Sequence, residues 1–247
     1  MNVALMGATG MVGSKILLEA LERGHKVAAI SRHPEKISPR DGVTGVRCEV
    51  LDTAGLSAAF AGRDAVIHSY APPPDPVVAA YVMAAVAAGQ DRFQAFRAYA
   101  PVDPAAHDAH VKGRIDAQTA GTRSIVAAAK AAGVKRILAV GGAGTLLIDG
   151  VRTMDRPEFF KAFEGGAKST AVVKEILKEH PELDWTVLCP STSIFPGTRT
   201  GKFRLGLDDL LTAPDGTSSI SLEDFAMAMI DEVENPRHTR KRFTAGY

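Results

Sequence analysis

The chain has 247 residues, 46% hydrophobic and 23% charged, and its 29 basic and 28 acidic side chains leave a formal net charge of +1. That is enough apolar material for one large core, and so even a charge balance provides no basic footprint for nucleic acid or an anionic membrane surface. No apolar run reaches the roughly 20 residues of a membrane-spanning helix, and Asn2 opens directly into strand-like sequence rather than a signal peptide, so a cytoplasmic protein is expected.

Short β-rich runs alternate with longer helical ones, the pattern of a parallel sheet covered on both faces. Residues 2–6 predict a first strand. Met11 to Arg23 predicts a helix with Val12, Ile16, Leu17, Ala20 and Leu21 on one face, ended by Gly24. Lys26 to Ile30 is the second predicted strand and Thr44 to Val50 the third. A short helix is expected over Ser57 to Gly62, and a fourth strand over Ala65 to Ser69.

After the stiff Pro72-Pro73-Pro74-Asp75-Pro76, an alanine-rich helix is expected from Val77 to Ala88. Gly89 to Pro104 then reads as an irregular insertion or mobile loop. A long helix follows from about Ala109 to Ala132, a fifth strand over Arg136 to Val140, a helix between Pro157 and Pro181, and a sixth strand over Trp185 to Cys189. The tail predicts a small hairpin of Lys202 to Leu205 with the segment near Leu211, a helix from Leu222 to Val233 and a last strand near Arg242 to Ala245. No repeat or low-complexity linker divides the chain. Cys48 and Cys189 lie in or beside apolar runs and have no further ligand at short spacing, so two free thiols and no metal site are expected.

The motif with chemical content is Gly7-Ala8-Thr9-Gly10-Met11-Val12-Gly13, between the first strand and the first helix. In that context the first glycine permits a tight turn, the second lets backbone approach a pyrophosphate, and the third allows close helix–strand packing. The helix N-terminus offers N–H groups to the phosphates. The expectation is an α/β, Rossmann-type, doubly wound parallel sheet of about seven strands holding a dinucleotide through Gly7, Thr9, Gly10, Met11, Val12 and Gly13. We expect one domain over residues 1–247, with residues from about 191 to 240 forming a small C-terminal substrate-side region.

The second strand ends in Ser31-Arg32, without the carboxylate that would receive the 2′-hydroxyl of NAD. Arg32 can pair with a 2′-phosphate and Ser31 can donate to it, which favours NADP(H) and leaves NAD(H) possible if Arg32 is only a solvated charge. Asp52 is placed either to receive the adenine amino group or to cap the following helix with Thr53. Tyr70 and Ala71 after the fourth strand, Gly141 and Gly142 after the fifth, and Pro190 after the sixth lie on the carboxyl edge of the sheet, where ligands sit.

The glycine loop, Ser31-Arg32, the Asp52 turn, Ala132-Gly-Val-Lys-Arg-Ile-Leu138 and Gly141-Gly-Ala-Gly144 together resemble the atypical short-chain dehydrogenase/reductases. Leu183-Asp-Trp-Thr186, Pro196-Gly-Thr-Arg-Thr-Gly201, Ser221-Leu-Glu-Asp224, Asn235-Pro-Arg-His238 and Arg242-Phe-Thr244 narrow the likeness to proteins labelled NADH-flavin reductases, within the broader NAD-dependent epimerase/dehydratase group. The resemblance covers essentially the whole chain and implies a Rossmann fold, an NAD(P) cofactor and oxidoreductase activity.

Members that oxidise alcohols or epimerise sugars use Tyr-x-x-x-Lys, but none of Tyr70, Tyr81, Tyr99 and Tyr247 has a lysine four residues later. Where the motif would fall stand Phe159-Phe160-Lys161 and Lys168-Ser169-Thr170. Hydride transfer to a flavin, quinone or similar conjugated acceptor does not need that dyad, because the acceptor is itself activated. Tyr99, Lys161 and Ser191 are candidates for acceptor contacts, each with a structural or solvated alternative. His107 and His110 read as surface residues, and Arg199 to Lys202 as either a basic lip or a solvated hairpin. Two other readings stand beside the reductase: a non-catalytic NADP(H)-binding redox sensor, and a sugar epimerase or dehydratase, which the missing dyad and the short chain after Cys189 disfavour.

Overall fold

The computed structural model describes residues 1–90 and 92–247, and for residues 92 and 93 the backbone alone; Asp91, within the stretch expected to be irregular, lies outside the described residues. The strands are β1 (Asn2–Met6), β2 (Lys26–Ser31), β3 (Val43–Arg47), β4 (Ala65–His68), β5 (Arg136–Val140), β6 (Leu147–Ile148), β7 (Val151–Arg152), β8 (Asp184–Cys189), β9 (Ser193–Phe195), β10 (Arg204–Gly206), β11 (Ser219–Ser221) and β12 (Lys241–Gly246). The helices are α1 (Met11–Glu22), α2 (Thr53–Phe60), α3 (Pro76–Ala87), α4 (Arg92–Ala98), α5 (Pro104–Ala131), α6 (Glu164–Lys178) and α7 (Leu222–Glu234).

Eight strands form the central sheet in the order β10-β12-β8-β5-β4-β1-β2-β3. Seven are parallel, and β10 adds an antiparallel edge along β12, pairing Arg204 with Gly246. The inner strands are buried on both faces, as the unbroken burial of Val3 to Met6 and of Ala65 to His68 shows, so they read as apolar runs without alternation. One face is covered by α2, α5 and α6 through Leu56, Phe60, Ile125, Val173 and Ile176. The other is covered by α1 and α7 through Ile16, Leu17, Phe225, Met229 and Ile230. The strand order reverses between β1 and β4, which opens a crevice at their carboxyl ends directly above the glycine loop.

Several expectations are corrected. Lys202 to Leu205 does not form a hairpin with the Leu211 segment: β10 joins the central sheet, and Leu211 packs beneath Gly206 and Gly246 instead. The stretch after Gly89 holds a short helix, α4, and α5 begins at Pro104, because Asp103 caps it by accepting from the Ala106 N–H at 3.0 Å. The helix expected from Pro157 begins only at Glu164, after two 3-10 turns over Thr153–Asp155 and Lys161–Phe163. Two small pairs, β6 with β7 and β9 with β11, are too short to leave a periodic signal.

Candidate functional site

Gly7 leaves β1 with φ +86°, and a Cβ there would stand 2.4 Å from the Ser69 carbonyl oxygen. A Cβ on Gly13 would stand 2.1 Å from the carbonyl oxygen of Gly7. The loop is thus pressed between β4 and the first turn of α1, and only bare backbone fits. Gly10 is the N-cap of α1 and makes no side-chain cap hydrogen bond, so the first-turn N–H groups remain for a ligand above the loop. This glycine-walled cradle at a helix N-terminus fits a dinucleotide pyrophosphate. Met11, the first residue of α1, is 60% exposed beside it.

At the end of β2 the Ser31 Oγ lies 2.8 Å from Thr9 Oγ1 and accepts from the His33 N–H at 3.1 Å. Ser31 is buried, so it ties the β2 exit to the glycine loop, while Arg32 is exposed beside it. Arg47, at the end of β3, donates to the Arg32 carbonyl at 2.8 Å and pairs with Glu35 at 2.8 Å. Glu35 also receives His33 at 2.9 Å. The nearest carboxylate after β2 is therefore engaged by a cation and an imidazole. Its own backbone N–H, then His33 and Arg47, hold its carboxyl below the usual range. Asp52 is the N-cap of α2, accepting from the Gly55 N–H at 2.9 Å.

At the end of β4 the His68 Nδ1 accepts from the Tyr70 N–H at 3.2 Å, and its Nε2 faces Thr122 Oγ1 of α5 at 3.0 Å. Gln118, fully buried one turn earlier on α5, donates to Thr122 Oγ1 at 3.2 Å and to the Tyr70 carbonyl at 3.4 Å. This network fixes Tyr70, whose ring lies against Gly121, where a Cβ would approach it to 2.5 Å. Ala71 is exposed just beyond. Gly141 and Gly142 serve close packing at the end of β5: a Cβ on the first would meet Cys189 Sγ at 2.5 Å, and one on the second Thr170 Oγ1 at 2.2 Å. Pro190 is half-buried where β8 leaves the sheet.

Beside this edge the structure assembles a polar chamber that the sequence reading did not anticipate. His107 on α5 is buried, and its ring stands between Asp75 Oδ2 at 3.7 Å and Glu164 Oε2 at 3.3 Å. His107 is therefore not a surface residue; His110 is half-buried, with its Nε2 shut off from solvent. Glu164 further accepts from Lys161 at 2.9 Å and Lys168 at 2.5 Å. Burial would raise its pKa, but the lysines and His107 outweigh that and hold it at about 2. A carboxylate only accepts hydrogen bonds, so the proton on His107 Nε2 points at Glu164.

Tyr99 closes this chamber, its ring 6.1 Å from His107 and edge-on to Tyr81 at 5.4 Å. Burial, with Asp75 nearby, pushes its phenol pKa up, away from phenolate. Arg114 lies further along α5, next to the start of α6, where a Cβ on Gly165 would approach its Cδ to 3.2 Å. Of the three acceptor-contact candidates, Tyr99 packs beside His107, and Lys161, largely exposed, reaches Glu164 with its amino group. Ser191 is 1% exposed and donates to the Ala245 carbonyl at 3.1 Å, which locks β8 to β12. Arg199 is neither lip nor free hairpin, because it pairs with the buried Glu19 of α1 at 2.8 Å.

The family model described as NAD(P)H-binding matches residues 7–236. The chain belongs to this NAD(P)H-binding family. An uncharacterized Bacillus subtilis relative, YwnB, is 32% identical across 99% of this chain and 97% of its own. A solved structure from Bacteroides thetaiotaomicron, provisionally named an epimerase, is 34% identical with a TM-score of 0.78, covering 100% of this chain and 96% of that one. Another from Streptococcus pneumoniae, provisionally named an NADH-flavin reductase, is 27% identical with a TM-score of 0.69, covering 100% and 99%. These likenesses place the NAD(P)H-binding protein among oxidoreductase-like Rossmann proteins, and no described helix is long and apolar enough to cross a membrane.

Sequence reasoning missed Arg47, Asp75, His107, Arg114, Gln118 and Glu164. The last four were detectable only in part: 107, 114 and 118 repeat at helical spacing along α5, and Glu164 stands four residues before Lys168.

Proposed function

We propose that this NAD(P)H-binding protein is an NADPH-dependent reductase of a flavin, quinone or other small conjugated acceptor. The observation that carries the proposal is the occupant of the site where a Tyr-x-x-x-Lys dyad would stand. There Glu164 precedes Lys168, and its carboxylate stays ionised through neutral pH because two lysines and His107 hold its pKa at about 2. Such a group neither takes nor gives a proton during turnover, so an alcohol or sugar substrate would find no acid–base partner in it. An acceptor already poised for reduction has no such need. The name of the Streptococcus pneumoniae relative supports the same class.

When bound, the reduced cofactor supplies a hydride which, with one proton from solvent, takes a quinone to its hydroquinone and leaves the cofactor oxidised. The chain's own residues do the rest. The backbone from Gly7 to Gly13, with Thr9, Met11 and Val12, holds the pyrophosphate. Arg32 and Arg47 bracket the 2′-phosphate, and the Ser31 hydroxyl sets the turn that presents them. Asp52 borders the adenine with the carboxylate that also caps α2. Tyr70, Ala71, Gly141, Gly142 and Pro190 line the sheet edge, the buried Tyr99 ring keeps water from the chamber, and Lys161 holds Glu164 at its rim. The single domain, with residues from about 191 to 240 on its substrate side, works in the cytoplasm; two buried, unpaired cysteines fit a reducing compartment.

Steady-state oxidation of NADPH against a panel of flavins and quinones tests this. Turnover with at least one acceptor, and with none of a panel of sugar nucleotides, is the expected result. Tight NADPH binding with no oxidation by any acceptor would replace the reductase with a redox sensor.

A further inference from the structure

Most buried side-chain nitrogen and oxygen atoms in the described structure have a partner. Among those that do not are His107 Nδ1, His110 Nε2, Arg114 Nε and Gln118 Oε1, all on α5. Positions 107, 110, 114 and 118 follow the three- and four-residue steps of one helix face. That face looks onto the end of β4 and the start of α6. A helix that turns four incompletely bonded polar groups inward, each left without a partner for its buried atom, is shaped for something other than its own stability.

Arg114 is the centre of that face. Burial draws its pKa down, while Asp75 and Tyr70 pull it back up. No carboxylate of the described residues comes within the 4.0 Å of an ion pair with it. Asp75, the carboxylate whose charge acts on it, is committed elsewhere: it caps α3 by accepting from Val77 and Val78 at 2.8 and 3.4 Å, and it faces His107. Glu164 is committed to Lys161, Lys168 and His107. The guanidinium is therefore half out of water with no ion-pair partner among the described residues. Next to it Gly165, in the first turn of α6, packs against Arg114, with its Cβ position 3.2 Å from the Arg114 Cδ and 3.8 Å from Nε. A guanidinium whose buried Nε has no partner thus stands one helical turn from the unpartnered Oε1 of Gln118.

We propose that Arg114, backed by Gln118 one turn further along α5, binds an acidic group of the acceptor, so that the substrate is an anionic conjugated compound carrying a carboxylate or a phosphate monoester. A planar guanidinium matches either group with two parallel hydrogen bonds. Gln118 Oε1 adds an acceptor for a donor N–H or O–H on the same ligand. The proposal rests on the reductase reading and deepens it by naming the substrate class.

Two matched pairs of probes test it on the NADPH-loaded protein: flavin mononucleotide against riboflavin, and 2-carboxy-1,4-naphthoquinone against 1,4-naphthoquinone. Binding is measured by fluorescence quenching or calorimetry, and reduction by steady-state kinetics. In at least one pair the wild type should prefer the anionic member by about tenfold. Arg114→Gln should abolish that preference, leave the neutral member within about twofold and leave NADPH binding unchanged. Arg114→Lys should keep part of it. Gly165→Ala, which crowds Arg114 from outside the guanidinium, should weaken it with the arginine still present.

Equal binding of both members in both pairs, or binding of neither, overturns the proposal. So does an Arg114→Gln effect that falls on NADPH as much as on the anionic probe. The two readings fail separately. Arg114-dependent binding of the anionic probe without reduction keeps the anion site and removes the reductase. Reduction of both members at equal efficiency keeps the reductase and removes the anion site.

Discussion

Thr9 Oγ1 and Ser31 Oγ stand 2.8 Å apart, so the loop that would hold the pyrophosphate and the turn that would choose between the two nicotinamide cofactors are bonded to each other. A displacement of one is felt by the other. Arg32, just beyond that bond, is an exposed cation whose own side chain meets no carboxylate of the described residues within 4.0 Å. Arg32→Ala should weaken NADPH binding by about 1–3 kcal/mol and barely alter NADH, the range for hydrogen bonds to a charged group. Fluorescence titration with both cofactors measures this. Equal losses would mean that Arg32 does not read the 2′-phosphate. Arg47→Ala should shift the preference in the same direction by less, because Arg47 also spends its charge on Glu35.

The third glycine of the loop makes a harsher test. Gly13→Ala places a methyl 2.1 Å from the Gly7 carbonyl oxygen and 2.9 Å from its carbon, both backbone atoms that cannot swing aside. Either α1 tilts off β1 or the loop opens. Overpacking of this kind costs about 1–3 kcal/mol or more, and here the same movement spoils the cradle. Cofactor affinity should fall by more than tenfold even in preparations where circular dichroism reports a folded protein. Gly10→Ala, whose Cβ would stand at 3.3 Å from the nearest atom, should be much milder.

How far the sequence could be read follows from the range of the forces involved. β1, the glycine loop and α1 were legible because strand, turn and amphipathic helix are local patterns within the first 23 residues. The seven parallel strands were legible for the same reason. The extended stretch at β10 was expected but its partner was not, because β12 lies far along the chain and a three-residue strand carries no signal of what it pairs with. The chamber is the clearest case. Asp75, His107 and Glu164 come from a loop, the start of α5 and the start of α6, and their meeting depends on α5 beginning at Pro104. With α5 expected from Ala109, His107 and His110 fell at a helix edge facing water; the cap on Asp103 adds the turn that carries His107 inward. Ser191 stood as an acceptor-contact candidate with a structural alternative, and its place at the strand exit said nothing of the Ala245 carbonyl to which its hydroxyl donates.

Asp224 ties the C-terminal region to the fold, and its removal should be costly. It is fully buried in the first turn of α7 and accepts from the Thr200 N–H at 2.8 Å, the Gly201 N–H at 2.9 Å and the Tyr247 hydroxyl at 2.8 Å. Burial alone would raise its pKa, but these donors and the Thr200 hydroxyl overcome it and hold the carboxyl below its usual range. Asp224→Ala leaves several buried donors without an acceptor and should destabilise the protein by about 3 kcal/mol or more. Asp224→Asn, which keeps one acceptor oxygen, should cost less. Urea denaturation gives both values, and a loss below about 1 kcal/mol for the alanine variant would mean that water replaces the carboxylate.

His68 gives the fold a pH dependence with a definite sign. It is 1% exposed, and the backbone N–H of Tyr70 donates to its Nδ1, so Nδ1 is bare and Nε2 carries the proton that faces Thr122. The ring is neutral, and burial pushes its pKa down from 6.5 to about 4. In the unfolded chain the same imidazole takes a proton as the pH falls through about 6.5. Between these two values the unfolded state holds the extra proton, so stability rises with pH across that window. His68's contribution is fully present above about pH 6.5 and is lost as the pH falls toward about 4, roughly 3 kcal/mol in all at 1.36 kcal/mol per pKa unit. His68→Gln keeps an acceptor for Tyr70 and a donor for Thr122 without a titrating group. The variant should be less stable than wild type at neutral pH, and the gap should close as the pH is lowered through that window. Urea melts at several pH values that run parallel for the two proteins would show that His68 is protonated in the fold as easily as outside it.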